Sequence, residues 1–131
     1  MSDSTDLIKN VEIPVCLNLG LCYLKTDQHH YGIKYCTQVI EKNIPAKYMA
    51  EGTLEKAHYR RGMCYFKIGD LTKAKEDFVK ANDLADGKNG QVIQALKMLK
   101  AKFEENREKE REMSKKMIQR KKAEKEPSNE V

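Results

Sequence analysis

Apolar residues recur three and four positions apart through most of the chain, the spacing that gathers side chains on one face of an α-helix. Val15, Leu19, Cys22 and Tyr23 form one such stripe, and Tyr59, Met63 and Phe66 form a second. Each stripe ends at a short polar step, Thr26-Asp27 or Gly69-Asp70, and a second helical stretch follows. Asp70 has the side chain expected of an N-cap for the later one. From Gln91 onward Val92, Leu96, Leu99 and Phe103 make a third stripe, which predicts a long helix over 89–125. Beyond Phe103 that helix keeps only Met113, Met117 and Ile118 as apolar points among mixed charges. Residues 126–131, ending "PSNEV", are expected to be frayed.

The two hairpin-like stretches are copies of one pattern. "LNLGLCYLKTDQHHYGIKYCTQVIEK" and "YRRGMCYFKIGDLTKAKEDFVKANDL" share Gly, any residue, Cys, Tyr, apolar, Lys at Gly20 to Lys25 and Gly62 to Lys67. Twelve residues after each glycine stands Gly32 or Ala74, four further on Cys36 or Phe78, and three beyond those Val39 or Ala81. Small residues at Gly20, Gly32, Gly62 and Ala74 are expected where paired helices cross closely, because bulk there would push them apart. The pattern resembles the tetratricopeptide repeat over about residues 13 to 86. It implies an all-α fold, an α-solenoid of helical hairpins over 13–44 and 55–86, with the helix at 89–125 capping the end of the stack. The glycines are 42 residues apart, not about 34 as in that family, so about 45–54 is read as an insertion between the units. Residues 1–12, "MSDSTDLIKNVE", are expected to be an irregular or poorly ordered remnant of an upstream segment.

Composition supports the helical reading and narrows the chemistry. Charged residues make up 34% and aromatics 7%, with no Trp. Residues 100–126 hold eleven Lys or Arg against seven Asp or Glu, so most of the net charge of +5 lies in the tail helix. The repeats are then close to neutral, which argues against a nucleic-acid surface there. Cys16, Cys22, Cys36 and Cys64 show no CxxC and no ligand-like cluster, so they read as reduced, buried thiols of a cytoplasmic protein, not a metal site. His29-His30 has no further ligand nearby. No membrane span and no signal peptide are expected. No nucleophile–base arrangement or phosphate loop is visible, so no catalytic residues and no cofactors are expected, and the chain itself is not read as an enzyme.

One pair of residues invites a functional reading. Lys56 and Arg60 are four apart on one predicted helix face, where like charges repel by roughly 0.2–0.5 kcal/mol. An anion between them reverses that sign. Aligning the repeats on Gly20 and Gly62 puts Asn18 and Arg60 at the same register, on the first helices of neighbouring hairpins. An Arg fork, a Lys point charge and an Asn amide together suit a chain-terminal carboxylate. "LNLGLCYLK" and "KAHYRRG" resemble the carboxylate-clamp domains of the large immunophilins, of FKBP type and of forty-kilodalton cyclophilin type. The resemblance implies that Asn18, Lys56 and Arg60 bind the acidic C-terminal tail, ending Glu-Glu-Val-Asp, of a ninety-kilodalton or seventy-kilodalton heat-shock chaperone. It also implies a further clamp Lys and Asn on the first helix of an earlier repeat, outside these residues. His58 and Arg61 are expected to be ordinary surface or inter-repeat residues.

Two other readings stand beside this one. The parent protein is a peptidyl-prolyl isomerase whose catalytic domain lies outside this chain, or the repeats are a scaffold for another partner. The tail segment "REMSKKMI" aligns with a family stretch linked to calmodulin, but Ser114 and Ile118 replace its aromatics, and the many glutamates favour a solvated helix. Val15, Leu19 and Tyr23 have no preceding repeat to pack on, so the chain is expected to self-associate.

Overall fold

The computed structural model describes residues 3–42 and 44–125, and every regular element among them is helical. In chain order these are α1 (Asp3–Leu7), a π-helical segment (Ile8–Glu12), α2 (Ile13–Lys25), α3 (His29–Ile40), a 3-10 turn (Ala46–Tyr48), α4 (Thr53–Ile68), α5 (Leu71–Leu84) and α6 (Gly90–Lys125). α2 pairs with α3 and α4 pairs with α5, while α3 and α2 both touch α4. Two compact units divide the chain, one up to Leu99 and the other from Lys100. The expected frayed tail, 126–131, lies outside the described residues.

The turns have local causes. The Thr26 hydroxyl donates to the Cys22 carbonyl at 2.9 Å and helps close α2. Asp27 takes a positive φ of 59° and turns the chain into α3. At the corresponding place in the second hairpin Gly69 has φ 88°, which glycine adopts without a Cβ clash. The Asp70 carboxylate then accepts from Lys73 N at 3.2 Å and caps α5. Asn89 caps α6 by accepting from Gln91 N at 2.9 Å, and its amide donates to Glu55 of α4 at 3.2 Å.

The N-terminal stretch departs from expectation. Among residues 3–12 the chain is helical, not irregular, and it runs without a break into α2. Pro14 lies one residue into α2, has no N–H to donate and crowds the carbonyl four residues back. Immediately upstream the helix widens: Ile13 N–H donates to Ile8 O, five residues away. A π turn of this kind absorbs the misfit and keeps the helix continuous. The continuous helix also corrects the expectation that nothing here is long and apolar enough for a membrane. Ser4–Lys25 is 22 residues long with a mean hydropathy of 1.3 over its most apolar window. In the fold this helix is the first of the two hairpins, with Ile13, Cys16, Leu17 and Gly20 buried against its neighbours.

The helix crossings are filled by sulfur and one ring. A Cβ at Gly20 would lie 2.5 Å from Cys36 Sγ, and one at Gly32 would lie 2.6 Å from Cys64 Sγ. At Gly62 the obstacle is Phe78, with Cε1 at 2.7 Å. Ala74, the fourth small residue, is completely buried. Burial pushes the Cys36 thiol up to about 12, with Cys64 adding to the effect, and the Cys64 thiol up to about 11. Ile13, Cys16, Leu17, Val39 and Ala57 form the adjoining core, with Met49 and Ile44 of the connection packed on it.

In the first turns of α6, Val92, Ala95 and Leu99 are buried. Ala95 takes the inward place that the stripe assigns to Leu96, which is half-buried. From Lys100 to Lys125 the helix is described by itself. Glu105 pairs with Lys109 at 2.9 Å and Glu108 with Arg111 at 3.2 Å, the spacing that supports an isolated helix. Hydrogen bonding from Lys109, with its charge and that of Lys102, holds the Glu105 carboxyl below its ordinary range.

Candidate functional site

α2 and α4 are the first helices of their hairpins and lie against each other. Asn18 is exposed on α2 and Lys56 is exposed on α4. Both line one cavity of about 150 Å³, together with Lys9, Ile13, Leu17 and Glu51. Two of the three residues singled out by register therefore share one concave surface. Arg60 is half-buried one turn along α4. Its Nη1 donates to the Leu17 carbonyl at 2.8 Å, which ties α4 to the residue before Asn18. That bond uses one of five guanidinium donors. Burial lowers the pKa of Arg60, with the Cys36 and Cys22 thiols acting in the other direction.

Lys9 is a residue that register reasoning missed. It belongs to the π-helical segment and is half-buried at the same cavity. The signal for it was local: a Lys five residues before Pro14, on a stretch read as irregular. Lys9 lies nine residues before Asn18, half a turn out of phase on an ideal helix, so helical register alone does not place it at this cavity.

A second polar cluster occupies the other side of α4. Asp77 of α5 is only 3% exposed, and Arg61 grips it with both arms, Nη2 to Oδ1 at 2.7 Å and Nε to Oδ2 at 2.8 Å. His58 Nδ1 lies 2.9 Å from the same Oδ1, and Arg61 Nη1 donates to Thr37 Oγ1 of α3 at 3.3 Å. The cluster thus joins three helices and both hairpins. Burial disfavours the Arg61 charge, but the Asp77 hydrogen bonds and charge outweigh it and raise its pKa. Arg61, through Thr37, is an inter-repeat residue, the second of the two roles expected, whereas His58 bonds within its own hairpin. Asp77 escaped notice in the sequence because nothing in its spacing marks a carboxylate turned inward on an otherwise amphipathic helix.

No group of three or more His, Cys, Asp or Glu that could hold a metal is present among the described residues. The four cysteines are free thiols, but Cys22, expected to be buried, is exposed on α2, while the other three are buried.

The helical hairpins and their small crossing residues have a counterpart in known sequences. Residues 55–81, which span most of α4 and α5, match the model of the tetratricopeptide repeat. The hairpins are tetratricopeptide repeats. The chain is homologous over most of its length to FK506-binding protein 59 of Drosophila melanogaster, at 30% identity over 108 residues. It is similarly related to peptidyl-prolyl cis-trans isomerase CYP7 of Saccharomyces cerevisiae, at 31% identity over 104 residues. Those alignments cover 81% and 78% of this chain but 22% and 25% of the relatives. The chain spans about a quarter of the length of these curated relatives, in a tetratricopeptide region that serves protein–protein contact.

Proposed function

We propose that this tetratricopeptide domain binds the acidic C-terminal peptide of a cytosolic heat-shock chaperone and acts as the co-chaperone adaptor part of a larger immunophilin. The observation that carries the reading is Asn18 and Lys56 on one cavity, with Arg60 one turn away and bonded next to Asn18. A terminal aspartate offers two carboxylates, and charge-assisted hydrogen bonds to Lys, Arg and Asn would hold them. The four free thiols fit a reducing compartment and support action in the cytoplasm. Peptidyl-prolyl isomerisation, named for one relative, would belong to a domain outside these residues.

The test is calorimetry with a peptide ending Glu-Glu-Val-Asp and with its C-terminal amide. Binding of the free acid and loss of binding by the amide support the reading. Equal affinity for both leaves a scaffold that does not recognise a terminus.

A further observation favours self-association. Leu7, Val11 and Val15 are each more than half exposed and are spaced four apart along one helical run. Part of the expected open face is covered within the hairpin: Tyr23 stacks on Tyr35 at 5.6 Å and meets Tyr31 at 5.3 Å. The remaining stripe would pair two copies, and a concentration-independent monomer mass by light scattering would refute it.

A further inference from the structure

The connection between the hairpins does more than lengthen the chain. It folds back along α2 and the π-helical segment, so that Ala50, Met49 and Lys47 face Lys9 and Pro14 across a cleft. Two cavities run along this cleft. The inner one, about 150 Å³, holds Asn18 and Lys56. The outer one, about 370 Å³, holds Asn10, Lys47 and Tyr48. Lys9, Pro14, Met49 and Ala50 line both, so the two adjoin and Lys9 stands between them.

The charges along the cleft are unbalanced. Lys9, Lys47 and Lys56 line it, and Glu51 is the one acidic residue that does. Among the described residues none of the three lysines has a carboxylate within ion-pair distance. Lys42, close by in the first hairpin, differs in being paired with Glu12. Lys47 instead lies over the Tyr48 ring, 4.9 Å from its centroid, which holds the ammonium beside the outer cavity. Cations left unpaired in a concave, partly apolar cleft raise the local concentration of anions.

We infer that Lys9 and Lys47 form a second cationic subsite, which takes the acidic side chains of a bound peptide upstream of its C-terminal carboxylate. The inference rests on the reading that the terminus is held at Asn18 and Lys56. An extended peptide leaving that point follows the cleft outward, and its alternate side chains face one wall. The Asn18–Lys56 end recognises that a chain ends, whereas Lys9 and Lys47, on opposite walls, select which chain end. The two walls of this subsite come from the features that depart from a regular repeat, the π turn and the connection.

The experiment uses residues 1–131 with two labelled peptides, one ending Glu-Glu-Val-Asp and one ending Ala-Ala-Val-Asp, in fluorescence polarisation. The wild-type chain is expected to prefer the acidic peptide. The double variant Lys9→Gln/Lys47→Gln is expected to weaken the acidic peptide about tenfold or more, the scale of one charge-assisted contact, and to weaken the alanine peptide much less. Glu51→Gln, which removes the one carboxylate of the cleft, is expected to strengthen the acidic peptide. Unchanged binding of the acidic peptide by the double variant overturns the subsite, as does equal weakening of both peptides. If the wild-type chain binds the two peptides equally, and amidation abolishes both, the subsite fails while the terminal-carboxylate reading stands. If amidation changes neither, the terminal reading fails, and the subsite as the upstream part of that site falls with it.

Discussion

Arg61 grips a buried carboxylate with both arms of its guanidinium, whereas Arg60, one residue earlier on the same helix, meets a single backbone carbonyl. The two side chains leave α4 about 100° apart, so neighbours in sequence serve different faces. The face of α4 toward α5 and α3 is closed: Asp77, His58, Arg61 and Thr37 satisfy one another there. The face toward α2 is open: Lys56 and Asn18 are exposed at a cavity and, among the described residues, have no such partners. A satisfied polar network fixes how two hairpins dock, and unsatisfied cations at a concave surface are available to a ligand. The difference lies in which positive groups already have their anion, and counting basic residues would not reveal it.

The comparison breaks most sharply at Arg61. Arg61→Ala leaves the Asp77 carboxylate buried beside His58 alone, and removing one partner of a buried pair costs roughly 3–5 kcal/mol. Urea denaturation is expected to show a loss of that size, enough to unfold a marginal domain. Arg60→Ala removes one hydrogen bond at the edge of the interior and should cost only about 0.5–1.5 kcal/mol of stability. Comparable losses in the two variants would mean that the two faces of α4 do not differ as their partners indicate.

Ligand binding should reverse that order. Arg60→Ala and Lys56→Ala are each expected to weaken a peptide ending Glu-Glu-Val-Asp by roughly 1.5–3 kcal/mol, the worth of a hydrogen bond to a charged group. Calorimetry on the folded variants measures this. Arg61→Lys, which keeps the charge but loses the two-armed grip on Asp77, should lower stability and leave peptide affinity unchanged. Unchanged affinity in both groove variants would remove the reason for treating the open face as a site.

How much of this was visible in the sequence depended on whether local spacing or distant packing set each feature. The hairpins at α2–α3 and α4–α5 were legible, because a 3.6-residue period and the Gly20/Gly62 register repeat within short windows. Asn18 and Lys56 were legible for the same reason. Lys9 was not, because residues 1–12 read as an irregular remnant and the π turn before Pro14 leaves no compositional mark. Asp77 was not, because its partners His58 and Arg61 lie nearly twenty residues away and come together only when α4 packs on α5. The docking of the connection against α2 was equally hidden, since Met49 reaches the core through tertiary contact and not through any repeat position.

The helix crossings sharpen the contrast from inside the closed region. Gly20→Ala places a methyl group 2.5 Å from where Cys36 Sγ now lies, and overpacking of this kind costs typically about 1–3 kcal/mol. Cys36→Ala alone leaves a small void. The double variant returns part of the lost volume to the new methyl group, so its cost should be less than the sum of the two singles. Denaturation of all four proteins tests this. Strict additivity would show that the glycine and the sulfur do not compete for one space.

The last contrast comes from alkaline pH, acting on the same buried thiols. In the unfolded chain Cys36 and Cys64 titrate near their ordinary 9.0, but in the fold burial pushes them up to about 12 and about 11. Between those limits the folded chain keeps protons that the unfolded chain has released. The unfolded state therefore binds fewer protons, and stability falls as pH rises. The contribution is fully present below pH 9.0 and is lost through the folded values. Each thiol adds a slope of at most about 1.4 kcal/mol per pH unit. Urea titrations from roughly pH 8 to roughly pH 11 should show the decline. Cys36→Ala should make it shallower, whereas Cys22→Ala, on an exposed thiol, should leave it as it is. Peptide affinity supplies the second axis, because none of the buried thiols lines the groove. Binding that weakens with the slope of the wild type in Cys36→Ala, while the stability slope changes, would separate the open face from the closed one by titration alone. A stability slope insensitive to Cys36 would mean that the crossing admits solvent and that the closed face is less closed than its packing indicates.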